Sequence, residues 1–112
     1  MGVIKIIMYK QINFNNFNEK KSYVRYFIVL KEKTYIFTLR WNDYCDCGFI
    51  SIANYENNPI ISNRALTNGL QIRNNKLPYV LYFRQINGET YEPTIDNIST
   101  EFVLLYNDEA EI

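Results

Sequence analysis

Residues 34–41, TYIFTLRW, alternate without a break. Tyr35, Phe37, Leu39 and Trp41 share one phase, and Thr34, Ile36, Thr38 and Arg40 share the other. Strand side chains alternate between faces, whereas a helix repeats every ~3.6 residues, so this pattern specifies a strand. The run just before it, Tyr23 to Leu30 (YVRYFIVL), is nearly continuous in apolar residues. Such a run is expected to form a strand buried on both faces. Lys31-Glu32 then reverses the chain.

Asparagine punctuates the rest. It clusters at Asn13, Asn15, Asn16 and Asn18 and recurs as Asn57-Asn58 and Asn74-Asn75. Asn tolerates left-handed backbone and bonds its own main chain, so these pairs mark turns. Gly48 and Gly69 add turn or bulge positions, and Asn87-Gly88 carries the strongest hairpin signal. Between the turns, further strands are expected at residues 3–7 (Val3, Ile4, Ile6, Ile7), 49–53, 60–62, 70–72, 79–85 and 101–106. Residues 13–22, polar and Asn-rich, read as a loop rather than a helix. The expectation is an all-β fold: one small sandwich or barrel of short, mainly antiparallel strands. With 112 residues there is room for one core. Within that domain, 1–22 reads as an amino-terminal strand and loop, 23–106 as the core, and 107–112 as an acidic tail that is either a solvated end or a docking segment.

The chemistry available is narrow. There is no histidine, so Ser-His-Asp and Cys-His arrangements are excluded. Carboxylate pairs remain as candidates for hydrolysis: Asp43 with Asp46, Glu89 with Glu92, and the tail acids Asp108, Glu109 and Glu111. All fall in expected turns or at the end of the chain, where acids are ordinarily solvated. Cys45 and Cys47 supply two thiolates of a zinc shell, with no histidine or third cysteine to complete it. A disulfide across two residues is hard to close without strain, so two reduced cysteines in a turn are expected, with zinc shared between subunits as the remaining use. No glycine-rich phosphate or dinucleotide fingerprint occurs, so no cofactor is expected.

Twelve basic residues balance twelve acidic ones, which gives no electrostatic basis for nucleic-acid binding. The interleaved aromatics and arginine at 79–84 read as a core strand rather than a base-stacking platform. The first nine residues, MGVIKIIMY, are too short and too interrupted by Lys5 for a membrane span, and Ile6 breaks a myristoylation pattern. They also lack signal-peptide features, and a protein folded in a reducing cytoplasm is expected.

Three segments carry a family resemblance: YIFTLRWNDYCDCGFISI at 35–52, NPIISNRALTNGL at 58–70 and TIDNISTEFVLLY at 94–106. Taken in order they resemble the plug-like baseplate proteins of contractile-tailed bacteriophages, of the cyanophage baseplate plug type. Trp41-Asn42-Asp43 and Thr94 to Asn97 match most tellingly, whereas Cys47-Gly48 stands where an aromatic is more usual. The resemblance implies a non-enzymatic β domain near the tube and spike hub of a phage tail, prophage or tail-like bacteriocin particle. It implies baseplate, hub, spike or tube proteins as partners, and a homo-oligomer of three-fold or six-fold symmetry. The matching residues receive structural roles. Trp41 anchors the core, Asn42 and Asp43 hold the reversal, and Pro93, Thr94, Asp96 and Asn97 shape the loop before the last strand. The alternative reading is a small ligand-binding β-barrel with an aromatic-lined pocket.

Overall fold

The computed structural model describes residues 9–87 and 91–111. Its strands are β1 (Lys10–Ile12), β2 (Tyr23–Leu30), β3 (Lys33–Asn42), β4 (Cys47–Asn54), β5 (Pro59–Ala65), β6 (Leu70–Ile72), β7 (Tyr79–Gln85) and β8 (Phe102–Glu111). A single helical turn, α1 (Ile98–Glu101), precedes β8. The strands form two antiparallel sheets, ordered β2-β3-β4-β5 and β1-β8-β7-β6. The all-β expectation is met as a sandwich, not a closed barrel.

The tightest reversal is the two-residue turn between β2 and β3. Lys31 (φ 49°) and Glu32 (φ 69°) both adopt left-handed backbone, while Leu30 pairs with Lys33. Positive φ at both central residues matches the right-handed twist of the flanking strands. The next connection, after β3, is held by Asn42, whose Oδ1 accepts from the Tyr44 amide at 2.8 Å and the Cys45 amide at 3.4 Å. Residue Asn57 (φ 67°) supplies the left-handed step between β4 and β5.

Each sheet turns one phase of its strands inward. Tyr35, Phe37, Leu39 and Trp41 of β3 join Ile50 and Ile52 of β4, Tyr79, Leu81 and Phe83 of β7, and Phe102 and Leu104 of β8 in one core. Phe83 stacks on Phe102 at 5.3 Å between ring centroids, and Phe14 leans on Phe83 at 6.3 Å. Gly48 of β4 sits opposite Trp41 because a Cβ there would lie 3.2 Å from the indole Cε3. A close ring approach, not a turn, favours glycine at this position.

Several expectations change. β2 is an edge strand rather than one buried on both faces: Tyr23, Phe27 and Val29 are each about three-fifths exposed. A continuous apolar run does not distinguish a doubly covered strand from one whose outer face is left open. Asn87-Gly88 does not close a two-residue hairpin, since residues 86–101, with α1 among them, separate β7 from β8; Gly88 itself lies outside the described residues. Glu101 belongs to α1, and β8 continues through the acidic segment to Glu111. The core also takes Ile12, Phe14 and Phe17 from the stretch before β2. The strand expected at 3–7 lies outside the described residues.

The Asn-rich stretch before β2 is tied down by Tyr26, whose hydroxyl donates to Asn16 Oδ1. Burial pushes the Tyr26 hydroxyl up to about 12 from its ordinary 10.0. The folded chain therefore holds this proton more tightly than the unfolded chain. Its contribution to stability is complete below pH about 10 and is lost as pH rises toward about 12. Urea midpoints measured from neutral to alkaline pH are expected to fall over that window, and Tyr26→Phe flattens the decline. A second expectation contrasts two phenylalanines. Phe83→Ala costs about 3–5 kcal/mol through its cavity. Phe27→Ala, on the open face, stays within about 0.5 kcal/mol by equilibrium unfolding.

Candidate assembly surface

The β2-β3-β4 register lays the outward residues in rows. Tyr23 lies beside Arg40 and Phe49, Arg25 beside Thr38 and Ser51, and Phe27 beside Ile36 and Ala53, with Val29 beside Thr34. The Arg40 guanidinium stands over the Phe49 ring, 4.9 Å from its centroid, and its Nε donates to Asn63 Oδ1 at 3.4 Å. No Asp or Glu occurs in these rows. Exposed aromatics with arginine and without acids are the composition of a protein-binding face: flat rings bury area at little entropic cost, while carboxylates are costly to desolvate.

The edge beside that face is open as well. Of the four outer strands, β1 and β6 have three residues each, too short to template a partner strand. β5 begins at Pro59 and is interrupted at Asn63 (φ 50°), where the register with β4 shifts. Prolines and bulges blunt an edge by removing donors and twisting the strand away. β2 has neither device and runs for eight residues. Its outer edge pairs with no other strand among the described residues and flanks the apolar face, so strand addition and side-chain packing meet at one place.

The residues singled out from the sequence sit at the β3-β4 turn and in the connection before α1. Trp41 points into the core, and its indole Nε1 donates to Asp46 Oδ1 at 3.3 Å. Asn42 holds the turn that contains the exposed Asp43. Before α1, Thr94 and Asn97 bond reciprocally: the Thr94 amide donates to Asn97 Oδ1 at 2.7 Å, and the Asn97 amide to Thr94 Oγ1 at 3.3 Å. Pro93 is buried beside them and Asp96 is exposed. The surface residues Tyr23, Arg25, Phe27 and Val29 were missed, although the charge of Arg25 in phase with three apolar residues was the available signal.

Three acids among the described residues bond groups other than a second carboxylate, and Glu89 lies outside the described residues. Asp46 serves Trp41, Glu92 accepts from the Asn68 amide at 2.8 Å, and Glu101 accepts from the Tyr91 hydroxyl at 2.8 Å. No group of three His, Cys, Asp or Glu side chains suited to a metal ion occurs among the described residues. The interior is filled by aromatic and aliphatic side chains, unlike the pocketed barrel of the alternative reading. A depression of about 920 Å³ lies instead at one end of the sandwich, open to solvent between Lys33, Tyr35, Tyr55, Pro59 and Lys76, with Glu56 its sole acid. No helix among the described residues is long and apolar enough to cross a membrane.

The cysteines differ from expectation. Cys45 and Cys47 form a disulfide, with their Cα atoms 5.5 Å apart. That separation lies within the ordinary disulfide range, and the left-handed backbone of Asp46 (φ 53°) between them folds the chain back far enough to reach it.

A search among curated proteins finds no match to the chain. The family model described as cyanophage baseplate Pam3 plug gp18 matches residues 9–109, from before β1 into β8. The two-sheet sandwich is thus matched along nearly its whole length, and the chain belongs to the cyanophage baseplate plug family.

Proposed function

We propose that this chain is a plug-like structural subunit of a contractile phage tail or tail-like particle, seated near the tube and spike hub. It acts by joining neighbours, not by catalysis. The observation that carries the reading is the family match over residues 9–109. The open β2 edge and the acid-free face bearing Tyr23, Arg25, Phe27 and Val29 suggest which surface meets a neighbour. Its partners are other baseplate, hub, spike or tube proteins, together with further copies of itself in a ring of three-fold or six-fold symmetry. Assembly takes place in the bacterial cytoplasm, and the finished location is the baseplate of the tail.

Trp41 and the turn through Asn42 and Asp43 stiffen the far end of the β3-β4 hairpin. Pro93, Thr94, Asp96 and Asn97 set the entry into β8. These residues support the face without belonging to it.

Purified particles test the reading. The wild-type chain is expected in the baseplate by mass spectrometry and cryo-electron microscopy. A variant with Phe27→Asp and Val29→Asp is expected to fold with an unchanged melting curve yet enter particles roughly tenfold less, the loss that a disrupted hot spot produces. Particles from which the wild-type chain is absent, or normal incorporation of the double variant, would contradict it.

A further inference from the structure

The turn between β3 and β4 holds chemistry that joining neighbours does not use. Its disulfide bridges Cys45 and Cys47 across the single residue Asp46, next to the fully exposed Tyr44. We propose that Cys45–Cys47 is a reversible thiol–disulfide exchange site, with low-molecular-weight thiols and their disulfides as substrates, and that Trp41 responds to its state through Asp46.

Access is the first argument. Cys45 is exposed at the tip of the hairpin, within reach of a small thiolate in solvent. Cost is the second. A disulfide restrains the unfolded chain more as the enclosed loop lengthens, and this one encloses a single intervening residue. The hairpin has other ties: Asn42 pairs with Cys47, Trp41 pairs with Gly48, and the Leu66 amide donates to the Gly48 carbonyl at 2.8 Å. Opening the bond therefore leaves the ladder intact.

The third argument is coupling. Asp46 holds left-handed backbone (φ 53°) between the two bonded cysteines, and its carboxylate accepts the Trp41 indole N–H at 3.3 Å. Once the sulfurs part, Asp46 is free to return to negative φ, which withdraws the carboxylate from the indole. The ring itself stays packed against Gly48, so the change is local.

The exchange balances. A small thiolate attacks one sulfur, forms a mixed disulfide and releases the other cysteine as a thiolate, which takes up a proton. A second small thiol then attacks the outer sulfur of the mixed disulfide. It frees the remaining cysteine and leaves as an oxidised small disulfide, so two electrons pass from thiols to protein. Excess small disulfide reverses both steps. The dithiol is the form in a reducing cytoplasm and the disulfide the form outside it.

The test titrates the full chain with reduced and oxidised glutathione under native conditions, with alkylation and intact mass as one readout. The other readout is fluorescence from Trp41, the single tryptophan. Two alkylated thiols per chain are expected to appear in one transition, with a coincident red shift and no change in far-ultraviolet circular dichroism. Asp46→Ala keeps the thiol transition and loses the emission change. The paired Cys45→Ser, Cys47→Ser variant shows neither. Thiols that react only after denaturation, two free thiols under oxidising conditions, or wild-type emission that ignores the transition would each overturn the proposal.

Discussion

Aromatic packing on the inner face of the β1-β8-β7-β6 sheet is the interaction on which the rest of this domain depends. Phe83 stacks face to face on Phe102, Phe14 leans on Phe83, and Tyr91 meets Phe102 edge-on at 6.1 Å. Ring pairs in these geometries add about 0.5–1.5 kcal/mol beyond the area they bury. They also fasten segments that have no ladder of their own. Phe14 and Phe17 carry the loop before β2 into the core, and Tyr91 ties the connection before α1 through its hydroxyl to Glu101. Residues with weak local structure are ordered by what they bury.

A filled interior leaves function to the surface, and the surface is uneven. Three of the four edge strands are short, proline-started or bulged, whereas β2 is long, regular and apolar on its outer side. In an isolated protein such an edge invites aggregation. Under the proposed function it is the place for a neighbour, with Arg25 and the Arg40–Phe49 pair adding charge and direction to an otherwise greasy patch. A chain with no net charge offers little self-repulsion against such contacts.

The hairpin end opposite the β2-β3 turn concentrates the tighter geometry. Gly48 makes room for Trp41, Asp46 takes the indole proton donor, and Cys45 and Cys47 close around Asp46. Each contact constrains the next, so a change at the exposed sulfurs has a short path to a buried ring.

Local pattern decided much of this. The alternation through Tyr35, Phe37, Leu39 and Trp41 set which side of β3 is buried, and β2, β6 and β7 lie where the apolar runs place them. The absence of histidine limited the chemistry before any fold was known. Even the family was legible, through Trp41-Asn42-Asp43 and the segment from Thr94 to Tyr106. The tertiary structure alone decided the rest, because it depends on neighbours distant in sequence. Whether Phe27 and Val29 are core or surface is settled by β2 ending a sheet, a matter of strand order that no periodicity encodes. Likewise, Cys45 and Cys47 meet because Asp46 takes a left-handed turn held between β3 and β4, whereas spacing by itself argued against their bond.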